Sequence, residues 1–214
     1  MSYPAYARSE WIADGAMHLL GVIGACCGAI LLMVWSLDRV SDSQSLALAV
    51  YGVALVLTFV ASAFYNMTPW ETLRPTLRRI DHAAIFVKIA GTYTPLVVMI
   101  GSLGSYLVLG VVWALAAFGV VKKIFFWRAP GRYDPLLYLF MGWLSPLLIW
   151  SLWPLVPPAT IILITSGGLL YSVGVVFYKW KALKFSKAIW HGFVVCASAC
   201  FYGAIALGAF HIPV

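Results

Sequence analysis

An all-α integral membrane protein, a bundle of seven transmembrane helices, is the fold class this sequence predicts, and three observations carry it. Hydrophobic residues fill 63% of the 214 positions and charged residues only 10%, with a mean hydropathy of +0.95, whereas a soluble chain carries about 25% charged residues. Apolar runs of about 20 residues recur along the chain, the length a helix needs to cross a hydrocarbon core of roughly 30 Å. The runs are continuous rather than alternating, which excludes a β-barrel and leaves helices to satisfy the backbone in lipid.

Taken in order, the spans are predicted at residues 14–36, 43–65, 82–101, 103–121, 135–153, 156–177 and 188–210. The first is preceded by Arg8, Glu10 and Asp14 and lacks a small-residue cleavage site, so it reads as a retained helix and not a removed signal peptide. The second ends in "SAFYN", and the third opens on "RRIDHAAIFVKIAGTYTP" with Lys88 inside it. The remaining spans follow at short intervals, without a charge-rich tail, a low-complexity linker or an internal repeat. Residues 1–214 therefore read as one membrane domain. Cys26, Cys27, Cys196 and Cys200 all fall inside spans and read as small apolar core residues.

Orientation follows from the basic residues. With the N-terminus on one side, Arg8, Arg74, Arg78, Arg79, Lys122, Lys123, Arg128, Arg132, Lys179, Lys181, Lys184 and Lys187 lie on that side, and only Arg39 lies opposite. That bias predicts a cytoplasmic N-terminus and a C-terminus outside. The net charge of +7 is thereby read as topology and contact with anionic lipid, not nucleic-acid binding. The expected partners are membrane lipids, and the expected location is the cell membrane (inner or plasma), as a multi-pass protein. Trp11, Trp35, Trp70, Trp127, Trp180 and Trp190 fall near span ends, as in an interfacial belt.

This topology gathers polar residues at the cytoplasmic end. Span 2 brings Ser62 and Asn66, span 3 Asp81 and His82, span 7 Lys187 and His191, and span 1 His18. Ser62 and Asn66 are spaced i, i+4, as are Lys187 and His191, so each pair shares a helix face. Ionisable groups inside spans are costly and turn toward a bundle interior or a partner. Interfacial anchoring is the bland alternative for His82, and snorkelling to the headgroups for Lys187. Lys88 lies about two turns deeper than Asp81 on roughly the same face, to pair inside the bundle or to line a path.

These residues carry a resemblance. "RRIDHAAIFVKIAGTYTP", "SAFYN", "KAIWH" and "EWIADGAMHLLGVIGA" together resemble the hemolysin III branch of the progestin and adipoQ receptor family, over roughly residues 9 to 205. That resemblance implies a seven-helix protein in which three histidines from helices 2 and 7 hold zinc. A helix-3 aspartate beside that zinc orients or activates a bound water, with a helix-2 serine next to it. Asp81 and Ser62 match the aspartate and serine and are the implied catalytic residues, and His191 matches one zinc ligand. Asn66 and Lys187 stand at the other two ligand positions. Neither side chain replaces an imidazole on a divalent cation.

The expected function is therefore a metal-depleted variant acting in membrane or lipid homeostasis. No metal cofactor is expected, zinc entering only if the family site survives in altered form. The alternative is a zinc-dependent, membrane-embedded lipid amidase or hydrolase. Further alternatives are an ion or proton pathway using Asp81 and Lys88, or a hemolytic, pore-like activity.

Overall fold

The computed structural model describes residues 7–126, 134–180 and 182–211. Trp127, Arg128, Arg132 and Lys181, which the sequence assigns to the basic side and its aromatic belt, lie outside the described residues. The elements are α1 (Arg8–Ser36), α2 (Asp42–Met67), α3 (Arg74–Ile100), α4 (Leu103–Phe125), α5 (Asp134–Gly142), α6 (Pro146–Leu152), α7 (Pro158–Lys179) and α8 (Ser186–Ala209). Among the described residues, α1, α2, α3, α4, α7 and α8 are long and apolar enough to cross a membrane. They account for six of the seven expected spans.

The fifth span differs. Residues 135–153 do not form one continuous helix: the chain forms α5 and α6, joined through a turn at Trp143, Leu144 and Ser145. Pro146 causes the break, because its ring has no N–H for the carbonyl of Gly142 four residues earlier and would clash with it. The carbonyls of Met141 and Gly142 instead accept from the Tyr93 hydroxyl of α3, at 2.8 and 2.9 Å. The turn closes on itself through Leu144 N–H to Met141 O (3.3 Å) and Ser145 N–H to Gly142 O (3.2 Å). Freed carbonyls inside a bundle need such partners.

Local signals account for the other helix ends. Ser41 caps α2 by accepting from the Gln44 N–H at 3.3 Å, and Ser102 caps α4 by accepting from Ser105 N–H at 3.2 Å. Gly101, at φ 66°, ends α3 in the left-handed conformation glycine tolerates. At its start α3 extends two turns before the apolar run, so Asp81 lies well inside the helix and not at its mouth.

Along α1 the buried residues are Asp14, His18, Gly21, Ala25, Gly28, Leu32 and Ser36, a stripe at helical period that faces the bundle. Trp11, Leu19, Ile23 and Ile30 on its other faces are exposed, as lipid contact requires. Helix α3 is the hub, packed against α2, α4, α8 and the α5–α6 pair. Rings fill notches left by glycines: Phe59 sits on Gly21, Phe86 on Gly119, Phe201 on Gly167, the close packing that holds helices together where lipid is as apolar as the core. The cysteines are free thiols, and Cys27 and Cys196 are exposed, so the core role expected for all four does not extend to these two.

Candidate functional site

The start of α1, the end of α2, the start of α3 and the start of α8 meet at one end of the bundle, since α1 packs on α2 and α8, and α3 packs on α2 and α8. One contact fixes α1 against α8 there. The Glu10 carboxylate accepts from the Phe185 N–H at 2.9 Å, one of the amides that the first turn of α8 leaves without an intrahelical partner. Phe185 is the residue before α8 and takes a left-handed φ of 62°. One turn further along α1 comes Asp14, and one more turn brings His18.

Asp14 is the residue the sequence reading passed over. It is 5% exposed, and its Oδ1 lies 2.5 Å from His191 Nδ1, a hydrogen bond across α1 and α8. Its Oδ2 lies 3.7 Å from His18 Nε2. The His18 and His191 rings face each other with centroids 4.3 Å apart at 54°. One donor atom from each of the three residues falls within 4.8 Å of the other two. A signal was available: Asp14 and His18 are spaced i, i+4 and continue the small-residue stripe of α1.

A second group lies alongside. The Asp81 carboxylate is hydrogen-bonded to the Ser62 hydroxyl and has His18, Lys187 and Arg78 as its charged or titratable neighbours. Asn66 Nδ2 donates to the Ser62 carbonyl at 3.0 Å and lies 3.4 Å from its hydroxyl. Lys187 has both Asp14 and Asp81 among its charged neighbours, Asp14 foremost. His18 is thus a neighbour of both carboxylates. His82 is turned the other way, toward α5, where the Tyr138 hydroxyl donates to its carbonyl at 3.2 Å and lies 3.5 Å from its Nδ1. That matches the angular step of roughly 100° between adjacent residues of a helix.

The residues at the family's ligand positions do not fit a zinc ion. The Asn66 amide nitrogen is engaged on its own helix and offers no lone pair, and the Lys187 ammonium would repel a divalent cation. Asp14, His18 and His191 do fit, being two imidazoles and a carboxylate, the donor types zinc takes.

Deeper in the bundle, Lys88 is 8% exposed. Its Nζ donates to Ser198 Oγ of α8 at 2.6 Å, and Ser198 Oγ also lies 3.0 Å from the Tyr171 hydroxyl of α7. The ammonium sits over the rings of Phe59 and Tyr171, at 4.8 and 5.2 Å from their centroids. Of the two roles left open for it, internal pairing is the one with a visible partner.

A family model described as Haemolysin-III related matches residues 8–202 of the chain. The Hemolysin-3 homolog of Bacillus subtilis is 34% identical over 210 residues, covering 97% of this chain and 98% of that protein. The Hemolysin-3 of Bacillus cereus is 35% identical over 195 residues, 90% of this chain and 89% of its own. The human Monocyte to macrophage differentiation factor is 28% identical over 206 residues, 92% and 83% respectively.

Proposed function

The chain belongs to the haemolysin-III-related family, and from that membership and the geometry above we propose that it acts on membrane lipids through the polar site at the cytoplasmic end of α1, α2, α3 and α8, in membrane or lipid homeostasis. One observation carries the reading. Four helices deliver Asp14, His18, Ser62, Asn66, Asp81, Lys187 and His191 to one end of the bundle. Groups of this kind persist inside spans where they pair or meet a ligand. The cytoplasmic assignment of that end is supported by the twelve basic residues on its side of the sequence.

The site offers both signs to a lipid headgroup. Asp81 accepts from Ser62 and holds that hydroxyl in place, while Lys187 and Arg78 supply positive charge beside it. Asn66 and Lys187 occupy positions where the family's zinc ligands would stand, so no step runs through a metal at those positions. The test is complementation in cells that lack the protein, read as a whole-lipid profile by mass spectrometry. The wild-type chain should restore the profile and Asp81→Asn should not, at equal accumulation. Restoration by Asp81→Asn would remove the site from the function.

A second reading, a metal-dependent lipid amidase or hydrolase, is favoured by the Asp14–His18–His191 grouping. A zinc ion held there would supply a Lewis acid and an activated water. Asp81, with its Ser62 partner, is the neighbouring group able to orient a water or take a proton. Release of fatty acid from N-acyl or O-acyl lipids in proteoliposomes, absent in Asp81→Asn, is the expected result of that reading.

A further inference from the structure

We propose that Asp14, His18 and His191 form a divalent-cation site of the zinc class, built between the first and last membrane helices, in a chain whose family ligand positions have lost theirs. The inference deepens the hydrolytic reading and rests on it for a purpose, while its observations stand on binding alone.

The first observation is geometric. Ligand bonds of about 2.0–2.2 Å in a tetrahedral zinc site set the ligand atoms roughly 3.3–3.5 Å apart. Asp14 Oδ2 and His18 Nε2 stand 3.7 Å apart, close to that spacing. Asp14 Oδ1 and His191 Nδ1 stand at 2.5 Å, shorter because a proton lies between them. A cation taking the place of that proton would open the pair by about 1 Å. The proton leaves His191 Nδ1 for solvent as the ion enters, so binding weakens as pH falls.

The second observation concerns His18. Its Nε2 is buried and has no hydrogen-bond partner, and the residue is 4% exposed. Asp14 Oδ2, at 3.7 Å, is beyond hydrogen-bond reach. A buried imidazole nitrogen left without a partner is destabilising, and here it points into a cluster that already holds a carboxylate and a second imidazole. A ligated cation satisfies it.

Charge limits the affinity. Lys187 neighbours both Asp14 and Asp81, and Arg74 and Arg78 neighbour Lys187, so the two carboxylates do not act on the cation unopposed. Removing the nearest ammonium should tighten binding.

The experiment is zinc analysis of detergent-extracted protein, purified without a polyhistidine tag or chelator, with cobalt substitution as a spectroscopic check. The expected result is close to one zinc per chain, and with cobalt an intense visible band from a four-coordinate ion. Asp14→Asn, His18→Gln and His191→Gln should each weaken binding by on the order of 100-fold or more, and Lys187→Ala should tighten it. Cobalt titration of the unaltered protein does not depend on the folding of any variant. No zinc and no cobalt band in that protein would overturn the proposal, leaving Asp14 and His191 as a hydrogen-bonded clip. Binding undiminished by all three substitutions would overturn it as well. Bound zinc with no lipid turnover would uphold the site and defeat the hydrolytic reading alone.

Discussion

Replacing Ser198 by alanine should harm this bundle more than replacing the buried lysine that Ser198 serves. Lys88 Nζ has a 2.6 Å bond to Ser198 Oγ and the faces of Phe59 and Tyr171 around it. Ser198→Ala removes that bond and leaves the ammonium to the rings. A hydrogen bond to a charged group contributes about 1.5–3 kcal/mol in water-soluble proteins. Interhelical bonds in membranes average nearer 0.6, with about 1.7 as an upper value. The stranded donor adds to this, since a buried donor left unsatisfied costs about 1–3 kcal/mol. We take about 2 kcal/mol for Ser198→Ala, because the two rings keep part of the cation's stabilisation.

Lys88→Met removes the charge and keeps the length of the side chain. Ser198 still donates to the Val194 carbonyl at 2.6 Å and keeps its Tyr171 contact, so nothing is stranded. A lysine near the centre of a span is unfavourable by about 2.5–3.5 kcal/mol on insertion scales. Lys88→Met should therefore be neutral or stabilising by about 1 kcal/mol, and should abolish most of the Ser198→Ala penalty when the two are combined. Reversible unfolding by SDS in mixed micelles, followed by tryptophan emission, measures all three variants. A Lys88→Met protein less stable than Ser198→Ala would refute the reasoning and point to a role for the charge itself.

Three further outcomes are expected. Tyr93→Phe removes the hydroxyl that the Met141 and Gly142 carbonyls share, leaves them only the longer bonds from the turn's own amides, and should lower stability by about 1–2 kcal/mol; a midpoint equal to the parent's would mean that the turn's amides alone satisfy the α5–α6 break. In a background without Cys26, Cys27, Cys196 and Cys200, an impermeant thiol reagent added to intact cells should label Ser41→Cys and not Lys184→Cys, and the reverse pattern would invert the topology. Asn66→His combined with Lys187→His should rebuild a three-histidine set with His191 and bind zinc even alongside Asp14→Asn, whereas either change alone with Asp14→Asn should bind poorly, as equilibrium dialysis would read out.

The long helices were legible because lipid imposes one rule on every stretch: about 20 apolar residues, with the backbone bonded internally. The interruption of the fifth span was not legible from that rule, because hydropathy counts residues and ignores where a proline breaks the backbone ladder. Gly142 and Pro146, four apart, carried the information that the carbonyl of one would meet the ring of the other. Ser62, Asn66, Asp81 and His191 were placed at one end by topology alone, and the structure adds their bonding. Asp14 escaped because it stands at the very edge of the predicted run, beside the polar residues Arg8 and Glu10, although α1 itself begins almost two turns earlier, at Arg8. The Lys88–Ser198 bond joins residues on different helices, and no periodicity within either segment encodes it.

The most direct measurement is zinc K-edge X-ray absorption on the native protein, compared with His18→Gln. The expected spectrum has a first shell of two imidazoles and oxygen donors at about 2.0–2.2 Å, reduced to one imidazole or to no bound zinc in His18→Gln. A protein without zinc, or a two-imidazole shell unchanged by His18→Gln, would contradict a metal site formed by Asp14, His18 and His191.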